Sequence, residues 1–221
     1  MKIAIIGLGQ FGYQLAVALA EDSHEVLAID KDERTIELLK DKVAHAVIAD
    51  AEDHRALDQL GLQEFDRVCL TVGEDFAASL MILSSLQELK VENIYCRVIN
   101  DVHERLLRLM KVENLIQAET LAARQLAKRM GIRGATRHFS LSDDFAIVEL
   151  EAPAYLVGKN LVESDLRRSY SVNLVTVKRE KDGEDAVIGV PPPDLVFAEG
   201  DRLVVFGTEK SVRDFSLKAK A

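Results

Sequence analysis

Lys2-Ile-Ala-Ile-Ile-Gly7-Leu-Gly9-Gln-Phe-Gly12 sets the strictest limit on how this chain can fold. An apolar run ending in G-x-G-x-x-G reads as a buried strand that passes through a tight turn into a helix. Gly7 permits the turn, Gly9 lets the backbone approach a pyrophosphate, and Gly12 lets helix and strand pack closely, while the helix N-terminus adds a partial positive charge. A second strand-like run, His24-Glu-Val-Leu-Ala-Ile-Asp30, ends in an acid eighteen residues after Gly12. From there a carboxylate can accept hydrogen bonds from the ribose hydroxyls of an adenosine. Strand, glycine turn, helix, strand and acid in that order predict an adenine-nucleotide site built on Gly7, Leu8, Gly9, Gln10, Phe11, Gly12 and Asp30.

Short β-rich runs alternate with helical stretches to about residue 118. Residues 46–48, 68–72, 94–98 and 115–116 read as further strands, separated by helical stretches such as 33–42, 76–89 and 102–112. Six strands joined by helices predict an α/β architecture with a Rossmann-like, doubly wound parallel sheet, because parallel neighbours need helical crossovers. Ligands of such sheets lie at the carboxyl ends of the strands, beside the point where strand order reverses. That rule adds Lys31, Asp50, Ala51, Thr71, Val72, Gly73 and Arg97 to the candidate site.

The pattern changes after residue 118. Glu119-Thr-Leu-Ala-Ala-Arg-Gln-Leu-Ala-Lys-Arg-Met130 is a run of good helix formers with Leu121, Leu126 and Met130 as packing residues, stopped by Gly131 and Gly134. Beyond it, 145–150, 173–178, 186–188 and 202–206 read as strands, with turns at 181–183 and 199–201. The expected organisation is a nucleotide-binding domain at 1–118, a crossover helix and linker at 119–134, and a smaller α+β domain at 135–221. The Pro191-Pro-Pro193 run stiffens a connection.

Composition narrows the function. With 221 residues and a net charge of −9, the chain lacks the cationic surface that nucleic acid requires. No apolar run is long enough to span a membrane, and a strand starting at Lys2 excludes an ordinary signal peptide, so a cytoplasmic protein is expected. The strand at Met1 also favours a natural subunit over an excised piece. Cys69 and Cys96 sit in strand-like runs and read as small buried hydrophobes. His24, His45, His54, His103 and His138 have neither triad nor metal spacing and read as surface or turn residues.

Taken together, Ile-Ile-Gly-Leu-Gly-Gln-Phe-Gly12, Val-Leu-Ala-Ile-Asp30-Lys-Asp, Ala-Val-Ile-Ala-Asp50-Ala51 and Ile-Tyr-Cys-Arg97-Val resemble the regulator of potassium conductance (RCK/KTN) domain. So do Phe-Ala-Ile-Val-Glu149-Leu, Leu166-Arg-Arg, Pro191-Pro-Pro193 and Glu-Gly200-Asp-Arg-Leu in the second half. The closest form is the free cytosolic gating subunit of bacterial Trk and Ktr potassium-uptake systems. That resemblance implies a ligand sensor rather than an enzyme. It implies homodimers paired through the crossover helix, an octameric ring at the inner face of the membrane, and a membrane potassium transporter or channel subunit as partner. NAD(H), ATP or ADP would occupy the first domain, with Gly7 to Phe11 at the phosphates, Asp30 at the ribose, Asp50 and Ala51 at the adenine edge, and Arg97 at the phosphates or second half. Glu119 matches the acid that helps place a divalent cation, Mg or Ca, at the dimer contact. Cyclic di-AMP between paired second domains would use Val162, Leu166, Arg167, Asn173, Leu174 and Pro193.

Two departures bear on the ligand. Ktr-type members tend to carry arginine where this chain has Gln10, and a neutral amide cannot give a terminal phosphate a charge-assisted contact. Asp30 disfavours a 2′-phosphate and so NADP; Lys31 and Arg34 read as solvated residues at a helix start. The alternatives are an NAD-dependent oxidoreductase, for which no proton-donor constellation is evident, and a regulator of another cation transporter or antiporter.

Overall fold

The N-terminal apolar run becomes β1 (Lys2–Ile6) in a computed structural model that describes residues 1–73, 75–181 and 183–217. It is buried along all but its first residue and leads into α1 (Gln10–Glu21) and β2 (Glu25–Asp30). There follow α2 (Glu33–Leu39), β3 (His45–Ile48), α3 (His54–Gln59) and β4 (Arg67–Leu70). Next come α4 (Phe76–Glu88), β5 (Ile94–Arg97), α5 (Asp101–Leu109) and β6 (Asn114–Ile116). The strands form one parallel sheet in the order β3-β2-β1-β4-β5-β6. Order reverses between β1 and β4, which is the switch point of a doubly wound sheet.

Side-chain alternation along β1 divides the core. Ile3 and Ile5 pack with Ala16, Ile36 and Leu39 of α1 and α2, while Ala4 and Ile6 pack with Leu57, Ile82, Leu83, Leu86 and Leu107 of α3 to α5. Each face therefore has its own helical layer. The short α3 is absent from the sequence reading, which named no helix between residues 48 and 68; Asp53 starts it by accepting a bond from the Arg55 N–H at 2.9 Å.

The chain divides into two compact units, Met1–Glu119 and Thr120–Ala221. Helix α6 (Ala118–Met130) carries the chain from one to the other. It has no buried residue: Leu121, Leu126 and Met130 are 56%, 46% and 76% exposed, so the packing expected of them is not made among the described residues. The second unit continues with β7 (Ala135–Ser140), β8 (Phe145–Glu151), α7 (Leu161–Ser164) and α8 (Leu166–Tyr170). It closes with β9 (Val172–Lys181), β10 (Glu184–Val187), β11 (Arg202–Thr208) and α9 (Glu209–Leu217). The sheet is antiparallel, in the order β10-β9-β11-β8-β7. Val148, Leu150, Val177, Leu203 and Val205 form its core with Val212 and Phe215 of α9.

Strand β7 and helices α7, α8 and α9 are additions to the sequence reading. The expected turn at 181–183 has Asp182 outside the described residues. At the other turn Gly200 adopts φ +83°, and buried Asp201 takes a two-pronged ion pair from Arg179, both contacts at 2.7 Å. Among the described residues no helix is long and apolar enough to cross a membrane.

Candidate functional site

The loop between β1 and α1 sits at the carboxyl end of the sheet, and its Gly7 and Gly9, with Gly12 in the first turn of α1, are glycine for different reasons. Gly7 lies at φ +90°, and a Cβ there would also meet the Val72 backbone N at 2.9 Å. A Cβ on Gly12 would lie 2.1 Å from the Gly7 carbonyl oxygen and 2.5 Å from Thr71 Oγ1. Gly9 is unlike both. Its backbone, φ −59° and ψ −177°, is open to any residue, and among the described residues beyond its chain neighbours no atom lies within 4 Å of where its Cβ would be. Neither backbone geometry nor packing within the chain calls for glycine at this position, whereas close approach of a bound pyrophosphate does.

The N-terminus of α1 gives the same indication. Helices α2, α3, α4 and α5 are each capped by the side chain before them: Asp32, Asp53, Asp75 and Asn100. Helix α1 has Gly9 at the cap, no side-chain cap bond and no acid in its first turn. An N-terminus without a side-chain cap or an acid in its first turn is the setting in which helices bind anions.

Asp30 lies beside this opening. Its Oδ2 accepts the Leu8 N–H at 2.5 Å and its Oδ1 the Asp32 N–H at 2.9 Å, which joins the end of β2 to the glycine loop. A carboxylate accepts about four bonds, so capacity remains for ribose hydroxyls. Lys31 pairs with Glu52 at 3.5 Å, and Asp50 accepts the Glu52 N–H at 3.1 Å, so these residues line the adjoining rim.

Three candidates have structural work instead of an open face. Leu8 gives its side chain to the core and its N–H to Asp30; Ala51 is packed in the core, leaving its backbone for a ligand. Thr71 is buried, with Oγ1 2.5 Å from the Gly7 carbonyl and 3.1 Å from that of Ile6, so it positions the turn.

Arg97, at the end of β5, reaches across the sheet towards α1. Its guanidinium lies 5.8 Å from the Phe11 ring centroid and occupies the space a Cβ on Gly73 would need. It also bonds the Glu119 carboxylate. That hydrogen bond from Arg97 holds the Glu119 carboxyl below its ordinary range. The structure thus brings Phe11, Gly73, Arg97 and Glu119 together around the glycine loop. Among the described residues no group of three His, Cys, Asp or Glu side chains could hold a metal ion, and the Glu119 carboxylate is engaged by Arg97.

In the second unit, Val162 and Pro193 are joined by a backbone bond at 3.3 Å, and both are exposed with Arg167 and Asn173; Leu174 is half-buried. Leu166 departs from the expectation. At 4% exposure it belongs to the core, which leaves little of it for a ligand.

Two histidines read as surface residues are buried. His103 accepts the Ile99 N–H on Nδ1 at 3.2 Å and packs on Phe76, and burial pushes its pKa down. His138 lies 3.1 Å from the Glu209 carboxylate, which also pairs with Lys128 at 3.0 Å. A lone histidine in a polar segment carries no periodicity from which this burial could be read. The thiols behave as the sequence implies: burial raises Cys69 to about 11 and Cys96 to about 12. A groove of 440 Å³ lined by Phe76, Asn100, Asp101 and Val102 opens at the starts of α4 and α5, without any of the glycine-loop residues.

The chain matches the TrkA-N domain family over residues 3–118 and the TrkA-C domain family over residues 145–219. It is 33% identical over 214 residues to the Ktr system potassium uptake protein C of Bacillus subtilis (strain 168), covering 97% of this chain and 95% of that protein. With the Ktr system potassium uptake protein A of the same organism it shares 29% identity over 214 residues, with the same 97% and 95% coverage. Among solved structures, the GsuK RCK domain aligns with all of this chain at TM-score 0.60 and 20% identity, and the GsuK channel bound to NAD at 0.62 and 17%. This chain spans 48% and 39% of those two chains, and at such identities the likeness is one of fold.

Proposed function

The chain belongs to the TrkA-N/TrkA-C family, and from that membership we propose that it is the regulatory subunit of a Ktr/Trk-type potassium-uptake system, switched by an adenine nucleotide bound at the glycine loop. The observation that carries the nucleotide reading is Gly9, whose missing side chain faces open space at an uncapped helix end beside Asp30. Gly9, Gln10 and Phe11 offer backbone N–H groups to phosphates, Asp30 takes the ribose hydroxyls, Asp50 and the Ala51 backbone border the adenine, and Arg97 supplies positive charge. The ligand is NAD(H) or ADP/ATP. Gln10 favours those ligands that do not depend on a cation at a terminal phosphate.

Family membership favours regulation over catalysis, as the relatives are named as potassium-uptake proteins. In this reading the exposed residues Leu121, Leu126 and Met130 of α6 are covered by a second copy, and copies assemble as a dimer and an octameric ring on a membrane potassium transporter or channel. A ligand that fits one arrangement of paired units better than another shifts the ring towards it, and the ring moves the gate of its partner. The divalent cation, if used, is shared between copies, and cyclic di-AMP would lie on the Val162, Arg167, Asn173, Leu174 and Pro193 surface.

The test is calorimetry on nucleotide-stripped protein with NADH, NAD, ADP, ATP and cyclic di-AMP, each with and without Mg²⁺, beside an assay for turnover of NADH. Binding of an adenine nucleotide without turnover is expected. Binding of none returns the glycine loop to a purely architectural role.

A further inference from the structure

We propose that Glu119 is a built-in competitor at the nucleotide site: it occupies the Arg97 guanidinium in the free protein, and a ligand phosphate takes that guanidinium over as Glu119 leaves. This rests on the nucleotide reading above and adds how the site is regulated.

The asymmetry of the pair carries the argument. Arg97 has little freedom. Its guanidinium fills the space over Gly73, where a Cβ would come within 2.2 Å of Nη1, it faces the Phe11 ring, and its Nε is buried without a hydrogen-bond partner among the described residues. Glu119 is the loose member. Its side chain is 67% exposed against 21% for Arg97, and Arg97 is its one ion-pair partner among the described residues. Phe11 belongs to the first turn of α1, so the fixed guanidinium sits beside the uncapped helix end. A bound phosphate would meet both positive sources at once, and Glu119 neutralises one of them. Exposed ion pairs are weak, whereas a guanidinium can bind phosphate through two parallel charge-assisted bonds, so the exchange favours the ligand.

The exchange also has a mechanical side. Glu119 stands in the first turn of α6, the helix that carries the chain into the second unit. Ligand phosphate at Arg97 frees that turn from its tie to β5. By linkage, anything that holds Glu119 away from Arg97 strengthens nucleotide binding.

Calorimetry of ADP, NADH and adenosine binding to the full chain in EDTA tests this with Glu119→Gln, Arg97→Ala, the double variant, and Glu21→Gln as a control for net charge at the far end of α1. The expected result is that Glu119→Gln binds ADP and NADH about fivefold more tightly, the scale of an exposed ion pair. Adenosine is unaffected, Glu21→Gln matches wild type, and the gain vanishes when Arg97 is alanine. Weaker or unchanged binding by Glu119→Gln, or a gain that survives without Arg97, overturns the inference while leaving the nucleotide site standing. If the wild type binds no adenine nucleotide at all, the underlying reading fails, and this one with it.

Discussion

Gly9→Ala should separate folding from binding in this chain. Among the described residues beyond its chain neighbours the new methyl meets no atom within 4 Å, and its backbone angles suit alanine. Two small terms then oppose each other. Glycine is a better N-cap than alanine by about 0.5–1 kcal/mol, while alanine restricts the unfolded chain by about 0.4–1 kcal/mol. The net change in stability is within about 0.5 kcal/mol, or roughly 2 °C in melting temperature for a chain of this size. Binding should respond quite differently. A methyl in the space of the pyrophosphate removes at least one hydrogen bond to a charged group, worth about 1.5–3 kcal/mol, so affinity should fall about 10- to 150-fold. Gly12→Ala is the contrasting case, since its Cβ would lie 2.1 Å from a backbone oxygen and force the turn open. Circular-dichroism melts paired with calorimetry for NADH and ADP decide the matter. A Gly9→Ala protein that melts well below wild type, or that binds nucleotide as well as wild type, refutes the reasoning.

Asp30→Ala removes a proposed ribose acceptor and the anchor of the Leu8 N–H, and should weaken adenine-nucleotide binding by about 1.5–3 kcal/mol in the same calorimetry; undiminished affinity takes Asp30 out of the site. Leu166→Ala empties a core position and should destabilise the second unit by about 2–4 kcal/mol in urea unfolding, while a loss below about 1 kcal/mol would contradict its packing role. Glu209 should make the second unit acid-sensitive. Burial pushes its carboxyl up, but hydrogen bonds from Lys128 and His138 outweigh burial and hold it below the ordinary value of 4.5. The unfolded chain therefore binds this proton first, and the stability Glu209 contributes is present above about pH 4.5 and lost as pH falls through its native value. Melts between about pH 3 and about pH 6 should show a flatter acid limb for Glu209→Gln, and parallel limbs would remove Glu209 as the source.

The first unit is more legible than the second because its elements announce themselves locally. A strand of four apolar residues after Lys2, a glycine turn and an acid at the end of the next strand each read without knowledge of partners, and in the fold the Leu8 N–H of that turn bonds the Asp30 carboxylate. The second unit depends on distant contacts. Strand β7 reads as Ala-Thr-Arg-His-Phe-Ser and is a strand because it pairs with β8, and α9 is polar apart from Val212, Phe215 and Leu217. His138 is buried through Glu209, seventy-one residues away, a contact that no local window contains. Leu166 enters the second-unit site only through the family resemblance, and a short helix turns the leucine inward and leaves the arginines outside. Strand order and the family resemblance both point to Arg97; its tie to Glu119 is visible only in the packing over Gly73.

The contrast between α1 and the four capped helices that follow it has an evolutionary reading. Glycine and aspartate codons can differ by a single nucleotide, and aspartate at position 9 would give α1 the kind of cap that Asp32, Asp53 and Asp75 already give their helices. A descendant carrying it would fold at least as well, and its own carboxylate would stand where the ligand's phosphate is meant to go. On the nucleotide reading, loss of sensing would thus lie one mutational step away with no penalty in folding, since nothing in the stability of α1 calls for glycine at its cap.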